Sequence, residues 1–136
     1  MKSNILKIIV IDNDRLFHAA YRYYFETYQD YSLQGIYVSV EEALKDYDDL
    51  LPDIIVSEVS MPNVCGIQGI GMFRKKDPDV KIIMISAQNG FEIIKRAFKN
   101  RANGYLTKPV TRKRLYNALN SIKFEGATMS NDIVKA

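Results

Sequence analysis

Four short stretches carry the side chains in this sequence that could do chemistry. They are the acidic turn Asp12-Asn13-Asp14, the lone acid Glu58 that ends the apolar run of PDIIVSEVSMPNVCG, the hydroxyl of Ser86 after KIIMI, and Lys108 ahead of Pro109. Two acids and a backbone carbonyl can hold a hard cation such as Mg²⁺. A lysine and a hydroxyl bind oxyanion oxygens through charge-assisted hydrogen bonds. Together such groups would stabilise the charge that moves when a phosphoryl group passes to a carboxylate. Each alone has a plainer explanation; a serine at a strand end is most often a cap. The set therefore matters only if the fold brings its members to one place.

The elements that must do so are legible as alternating patterns. Ile5 to Ile11 is a β-rich run with almost no polar interruption, the mark of a strand covered on both faces. Asp12-Asn13-Asp14 stops it and offers N-caps for a helix in which Phe17, Ala20, Tyr21, Tyr24, Phe25 and Tyr28 recur at helical spacing. Leu33 to Val38 reads as a second strand, and Ser39 caps a helix over 40–50. Ile54 to Ser57 is the third strand, followed by a helix over 67–76 weakened by Gly69 and Gly71. Lys81 to Ile85 is the fourth strand, with a helix from Phe91 to Asn100. Gly104 to Thr107 is a fifth strand, and Thr111 caps a last helix containing Leu115, Ala118, Leu119 and Ile122.

Five strand–helix alternations with short connections predict an α/β fold, a parallel sheet covered by helices on both sides. Sites in such sheets gather outside the carboxyl ends of the strands. Asp12, Glu58, Ser86 and Lys108 each follow or end a strand, so all four are expected at one edge.

At 136 residues the chain is long enough for one domain with a real core, taken as 1–124, with 125–136 as a frayed tail or linker stub. A single cysteine, Cys65, rules out an internal disulfide and a thiolate metal cluster. There is no secretory signal pattern and no apolar run near the ~18 residues of a membrane span, which makes the cytoplasm the expected compartment. The net charge of +3 is unevenly spread. Nine Lys or Arg fall between Glu92 and Glu125, while Glu41, Glu42, Asp46, Asp48, Asp49, Asp53 and Glu58 crowd the centre. Such polarity steers an acidic partner or simply solvates helix faces. His18 reads as an ordinary helix-face histidine and Cys65 as a spectator. Phe91, Ile94 and Phe98 form one stripe expected to be mostly core.

The sequence resembles the receiver domains of two-component response regulators from about Ile5 to Phe124. IIVIDND is similar to their first strand and acidic turn. PDIIVSEVSMPNVCG is similar to the segment ending in the phosphoacceptor aspartate, including the Met-Pro and the glycine four residues after the proline. IIMISA resembles the strand that ends in the switch hydroxyl, and ANGYLTKP the fifth strand with its switch aromatic and Lys-Pro. The resemblance implies a flavodoxin-like doubly wound sheet in the order 2-1-3-4-5 with five helices. It puts Glu58 at the phosphoacceptor position and Asp12 and Asn13 at the acidic metal positions, with the Ser60 carbonyl as a further metal ligand. It makes Ser86 the hydroxyl that meets the phosphoryl group, Lys108 the lysine paired with the acceptor, and Tyr105 the aromatic that turns inward. Pro109 would hold a turn that usually contains a cis Lys-Pro peptide. Partners, whether output domain, kinase or a second copy, would use the fourth helix, fifth strand and fifth helix. DNA binding is normally delegated to a separate output domain.

Two positions depart from the family: Glu58 replaces aspartate, and Asn13 replaces Asp or Glu. The extra methylene moves the carboxylate about 1.5 Å outward without adding charge. Displacing a nucleophile that must be placed to within an ångström should lose much of the transfer rate. Asn13 removes one anionic ligand, so Mg²⁺ affinity should fall. Three readings of Glu58 follow: an unusual phosphoacceptor, a built-in mimic of the activated state, or a filler ion-paired to Lys108. The mimic predicts Ser86 against the Glu58 carboxylate with Tyr105 buried; the filler predicts a solvent-facing Tyr105. The expected role is a non-enzymatic, phosphorylation-independent interaction module, with a working phosphoacceptor or the receiver part of a longer DNA-binding regulator as alternatives.

Overall fold

A computed structural model of the protein describes residues 4–125. The expected tail over 125–136 lies outside these residues apart from Glu125, with which the last helix closes. The chain runs β1 (Leu6–Ile11), α1 (Leu16–Thr27), β2 (Tyr31–Tyr37), α2 (Val40–Leu50), β3 (Ile54–Glu58), α3 (Gly66–Lys76), β4 (Lys81–Ser86), α4 (Phe91–Lys99), β5 (Gly104–Thr107) and α5 (Arg112–Glu125). All strand pairings are parallel and the sheet order is β2-β1-β3-β4-β5, the flavodoxin-like order expected.

The unbroken apolar strands follow from burial on both faces. Ile9 and Ile11 of β1 face a core shared with Val40 and Tyr47 of α2, Ile70 and Phe73 of α3, and Ala97 of α4. Ile8 and Val10 face the opposite core, with Tyr21 and Phe25 of α1 and Leu115, Leu119 and Ile122 of α5. Caps act where the sequence put them: Ser39 Oγ accepts from Glu42 N–H at 3.1 Å, and Thr111 Oγ1 from Arg114 N–H at 3.2 Å. At α1 the N-cap position is Arg15, which gives no side-chain cap, and the turn ahead of it is tied in two steps. Asp12 Oδ1 accepts from Asp14 N–H at 2.8 Å, and Asp14 Oδ1 from Leu16 N–H at 3.0 Å.

The helical stripes are partly corrected. In α1 and at its C-cap, Tyr21, Phe25 and Tyr28 are buried, but Phe17 is 42% exposed. In α4, Ile94 is buried, Phe98 is half-buried, and Phe91 is 73% exposed rather than core. Both exceptions stand in the first turn of their helix, ahead of the turns that meet the sheet. Gly69 is the residue that lets α3 approach α2, since a Cβ there would sit 2.8 Å from Val40 Cγ2.

One polar tie joins the start of β2 to α5. Asp30 accepts from Lys123 Nζ at 3.1 Å and from Tyr116 Oη at 3.2 and 3.3 Å. Burial alone would raise its pKa, but these donors outweigh it and the carboxyl sits below its ordinary value. A lowered native pKa means stability present above about pH 4 and lost as the pH falls through the native value. Asp30→Asn should therefore lose about 0.5–1 kcal/mol at neutral pH, a modest figure because the group is partly exposed. Urea titrations across pH should show the gap to the wild type closing below about pH 4.

Candidate functional site

Parallel register places the strand ends side by side. Glu58 ends β3 opposite Ile85, and Ser86 ends β4 opposite Thr107. Asp12 N–H bonds to the Tyr37 carbonyl at 2.9 Å and Lys108 N–H to the Ser86 carbonyl at 2.9 Å, which carries the sheet pattern into both following turns. The four residues singled out from the sequence therefore do converge on one edge. The Lys108–Pro109 peptide is cis.

At the centre, Lys108 Nζ lies 2.5 Å from Glu58 Oε1. The other carboxylate oxygen, Oε2, accepts from Ser60 N–H at 3.0 Å. Glu58 is 4% exposed, and the Lys108 side chain about a quarter exposed at 25%. Lys108 Nζ also stands 4.7 Å from the centroid of the Phe17 ring, so an aromatic face covers the cation where water would otherwise reach it. The expected packing role of Phe17 is thus replaced by a role at the site.

Asp12 is 1% exposed. Its Oδ2 is buried without a hydrogen-bond partner. Burial, with the Glu58 charge adding to it, raises its pKa against the opposing pull of the Asp14 N–H, Lys108 and His18. Asn13 is exposed and neutral. His18 is not an ordinary surface histidine: it is buried, and its Nε2 lies 2.6 Å from the Asp12 carbonyl oxygen. Its ring anchors the turn that holds Asp12. Of the Asp12 and Glu58 carboxylates, Asp12 Oδ2 is thus the oxygen with no protein partner, because both oxygens of Glu58 are engaged. Among the described residues no group of three or more His, Cys, Asp or Glu is placed to hold a metal ion.

Gly66 lets α3 start against the tip of β3. A Cβ at this position would lie 2.0 Å from the Glu58 carbonyl oxygen, and the Gly66 N–H bonds to the Val59 carbonyl at 2.8 Å.

Tyr105 is buried at 1% exposure, and its hydroxyl donates to the Gln88 carbonyl at 2.7 Å. Burial raises its pKa; the Glu58 charge adds to this and a hydrogen bond with Ser86 opposes it. The Ser86 hydroxyl does not meet the Glu58 carboxylate. It accepts from Gln88 N–H at 2.9 Å. Gln88 Nε2 in turn donates to Ser60 Oγ at 3.3 Å. The outcome contradicts the filler, because Tyr105 is inward, and meets only half of the mimic's expectation, because the Ser86 hydroxyl turns to the β4–α4 loop and not to Glu58. Gln88 thus ties together the ends of β3, β4 and β5, a role that lies beyond the residues immediately after the strand. A polar residue two positions beyond the strand-end hydroxyl was the available signal.

The response regulator receiver domain family matches residues 8–120. This chain belongs to that family. Among relatives, the transcriptional regulatory protein MctR of Rhizobium johnstonii is 24% identical over 131 residues, covering 96% of this chain and 61% of MctR. The chemotaxis protein CheY of Thermotoga maritima is 34% identical over 92 residues, covering 68% of this chain and 77% of CheY. The solved two-component response regulator of the LuxR family from Aurantimonas sp. SI85-9A1 matches with a TM-score of 0.88 at 26% identity, covering 97% of this chain and 94% of that one. The receiver domain described here thus spans less than two thirds of MctR. Receiver domains are signalling modules of two-component systems, and this chain is one of them. No helix among its described residues is long and apolar enough to cross a membrane.

Proposed function

We propose that this receiver domain is a phosphorylation-independent, non-enzymatic protein-interaction module, with Glu58 as a fixed substitute for the modified acceptor. The observation that carries this is the Lys108–Glu58 ion pair at 2.5 Å together with an inward Tyr105. The longer side chain reaches the lysine directly, so the cation that would meet a phosphoryl group is already neutralised. Tyr105 is held by Gln88 and Ser86 holds the Gln88 N–H, so the inward state needs no added group in this reading.

The donor set does not fit a dedicated Mg²⁺ site. Mg²⁺ prefers several anionic or carbonyl oxygens in octahedral order, and here Asp12 Oδ2 is the uncommitted oxygen of the two buried carboxylates, beside a neutral Asn13. The partner surface in this reading is α4, β5 and α5, where Lys95, Arg96, Lys99 and Phe91 are exposed. It suits an acidic protein partner in the cytoplasm. A second reading, the receiver part of a longer DNA-binding regulator, is supported by the coverage: MctR, a transcriptional regulatory protein, extends well beyond the matched region.

Incubation with acetyl phosphate and Mg²⁺ followed by intact mass measurement tests the proposal. No phosphoryl adduct should form on the wild type. An adduct that vanishes in Glu58→Gln would make Glu58 a working acceptor and overturn it.

A further inference from the structure

Two residues beside one cleft run against local backbone preference, in opposite directions. Gly71 lies inside α3, is exposed, and a Cβ there would meet nothing within 4 Å. Alanine would fit and would favour the helix, so packing does not require this glycine. Arg101 follows α4 with a φ of 74°. Its N–H bonds to the Phe98 carbonyl at 2.9 Å and the next N–H, of Ala102, to the Ala97 carbonyl at 3.0 Å. This is a Schellman ending with arginine at the position where glycine is unstrained. A helix interior that would prefer alanine has glycine, and a helix end that would prefer glycine has arginine. Sequences break local rules of this kind mostly at functional places.

Both residues line the same cleft between α3 and α4, of about 380 Å³, with Arg74, Lys75, Lys99 and Asn100. None of its lining residues is an acid. Arg74 is buried at 8% exposure, and its guanidinium donates to the carbonyls of Pro78, Val80 and Arg101 and to Asn103 Oδ1, with no carboxylate among them. Burial holds the Arg74 guanidinium below its ordinary pKa and the Arg101 charge pushes the same way; Asp77 and Asp79 oppose this, but neither lines the cleft. The C-terminal ends of α3 and α4 supply about half a negative charge each, which four cations outweigh. Macrodipole compensation also leaves Gly71 and the strained Arg101 without a reason. The cleft is separate from the Glu58 site, because α3 starts against Glu58 and reaches the cleft only in its second half.

We propose that the α3–α4 cleft binds a small anion carrying two or more negative charges on phosphate groups. Arg101, Lys75 and Lys99 supply the charge, with the Arg101 fork matched to phosphate oxygens. Asn100 adds a neutral donor, and Gly71 leaves the helix backbone open to the ligand. Arg74 supplies the buried charge behind them.

Calorimetric titration of the full chain with pyrophosphate at low ionic strength tests this. The wild type should show one saturable site. Arg101→Gly should weaken it at least tenfold and Gly71→Ala severalfold, while both variants melt at or above the wild-type temperature because each restores the local preference. Arg22→Ala, which removes an equal charge from exposed α1, should change affinity by less than twofold. ATP in place of pyrophosphate separates the sources: equal affinity assigns free polyphosphate, and tighter binding lost in the same variants assigns a nucleotide. Absence of saturation at millimolar pyrophosphate, undiminished binding in Arg101→Gly, an equal loss in Arg22→Ala, or citrate binding as tightly would each overturn the assignment.

Discussion

Lys108→Met should lower folding stability by about 3 kcal/mol, several times the cost of Glu58→Gln. The asymmetry comes from exposure. Glu58 is 4% exposed, so removing the lysine leaves a carboxylate buried with only the Ser60 N–H for a partner and Asp12 nearby. Breaking a buried pair in this way costs more than the pair itself contributes. Removing the glutamate charge is milder. Lys108 keeps the Phe17 ring at 4.7 Å and a quarter of its side chain in solvent, while glutamine can still accept from Ser60 N–H. Glu58→Gln should therefore cost about 1 kcal/mol. The double variant should recover much of the Lys108→Met loss, because no charge is then stranded. Urea denaturation of the three variants at neutral pH checks this. Equal single-variant costs would mean the carboxylate is not the member that depends on the pair.

The second large effect is steric. Gly66→Ala should destabilise by about 3 kcal/mol, the upper part of the range for overpacking. The added Cβ would lie 2.0 Å from the Glu58 carbonyl oxygen and 2.9 Å from Met84 Cε. The methionine end can move, but the carbonyl belongs to the last residue of β3, which is hydrogen-bonded within the sheet. The start of α3 must shift instead, and with it the Gly66–Val59 bond. Gly71→Ala on the same helix is the control, since its Cβ meets nothing and it should gain about 0.5–1 kcal/mol. Thermal and urea unfolding of the pair should therefore move in opposite directions.

Most of the fold was legible because β1, β3 and β4 are nearly uninterrupted apolar runs and each helix has either a cap or a periodic stripe. The runs ending at Ile11 and Ser86 set the sheet edge to within a residue. Side chains in first helical turns were harder to read. Phe17 and Phe91 continue their stripes on paper, yet the first turns of α1 and α4 leave them open to solvent. At the site, residue types revealed Asp12, Glu58, Ser86 and Lys108, because their chemistry is unusual at strand ends. His18 and Gln88 were not legible as parts of it. The role of His18 depends on burial against a backbone carbonyl and leaves no mark in spacing, and that of Gln88 depends on three loops meeting, marked only by a polar residue two positions after Ser86. Gly66 was visible as a motif residue, but its reason, a backbone oxygen 2.0 Å from a notional Cβ, exists only in three dimensions.

Glu58 and Lys108 should hold the inward arrangement without a phosphoryl group. The most direct measurement is the NMR signal of a selectively labelled Tyr105 ring, recorded with and without beryllofluoride and Mg²⁺. Tyr105 should be buried before addition and unchanged after it. A solvent-exposed ring that turns inward only when beryllofluoride and Mg²⁺ are added would contradict this.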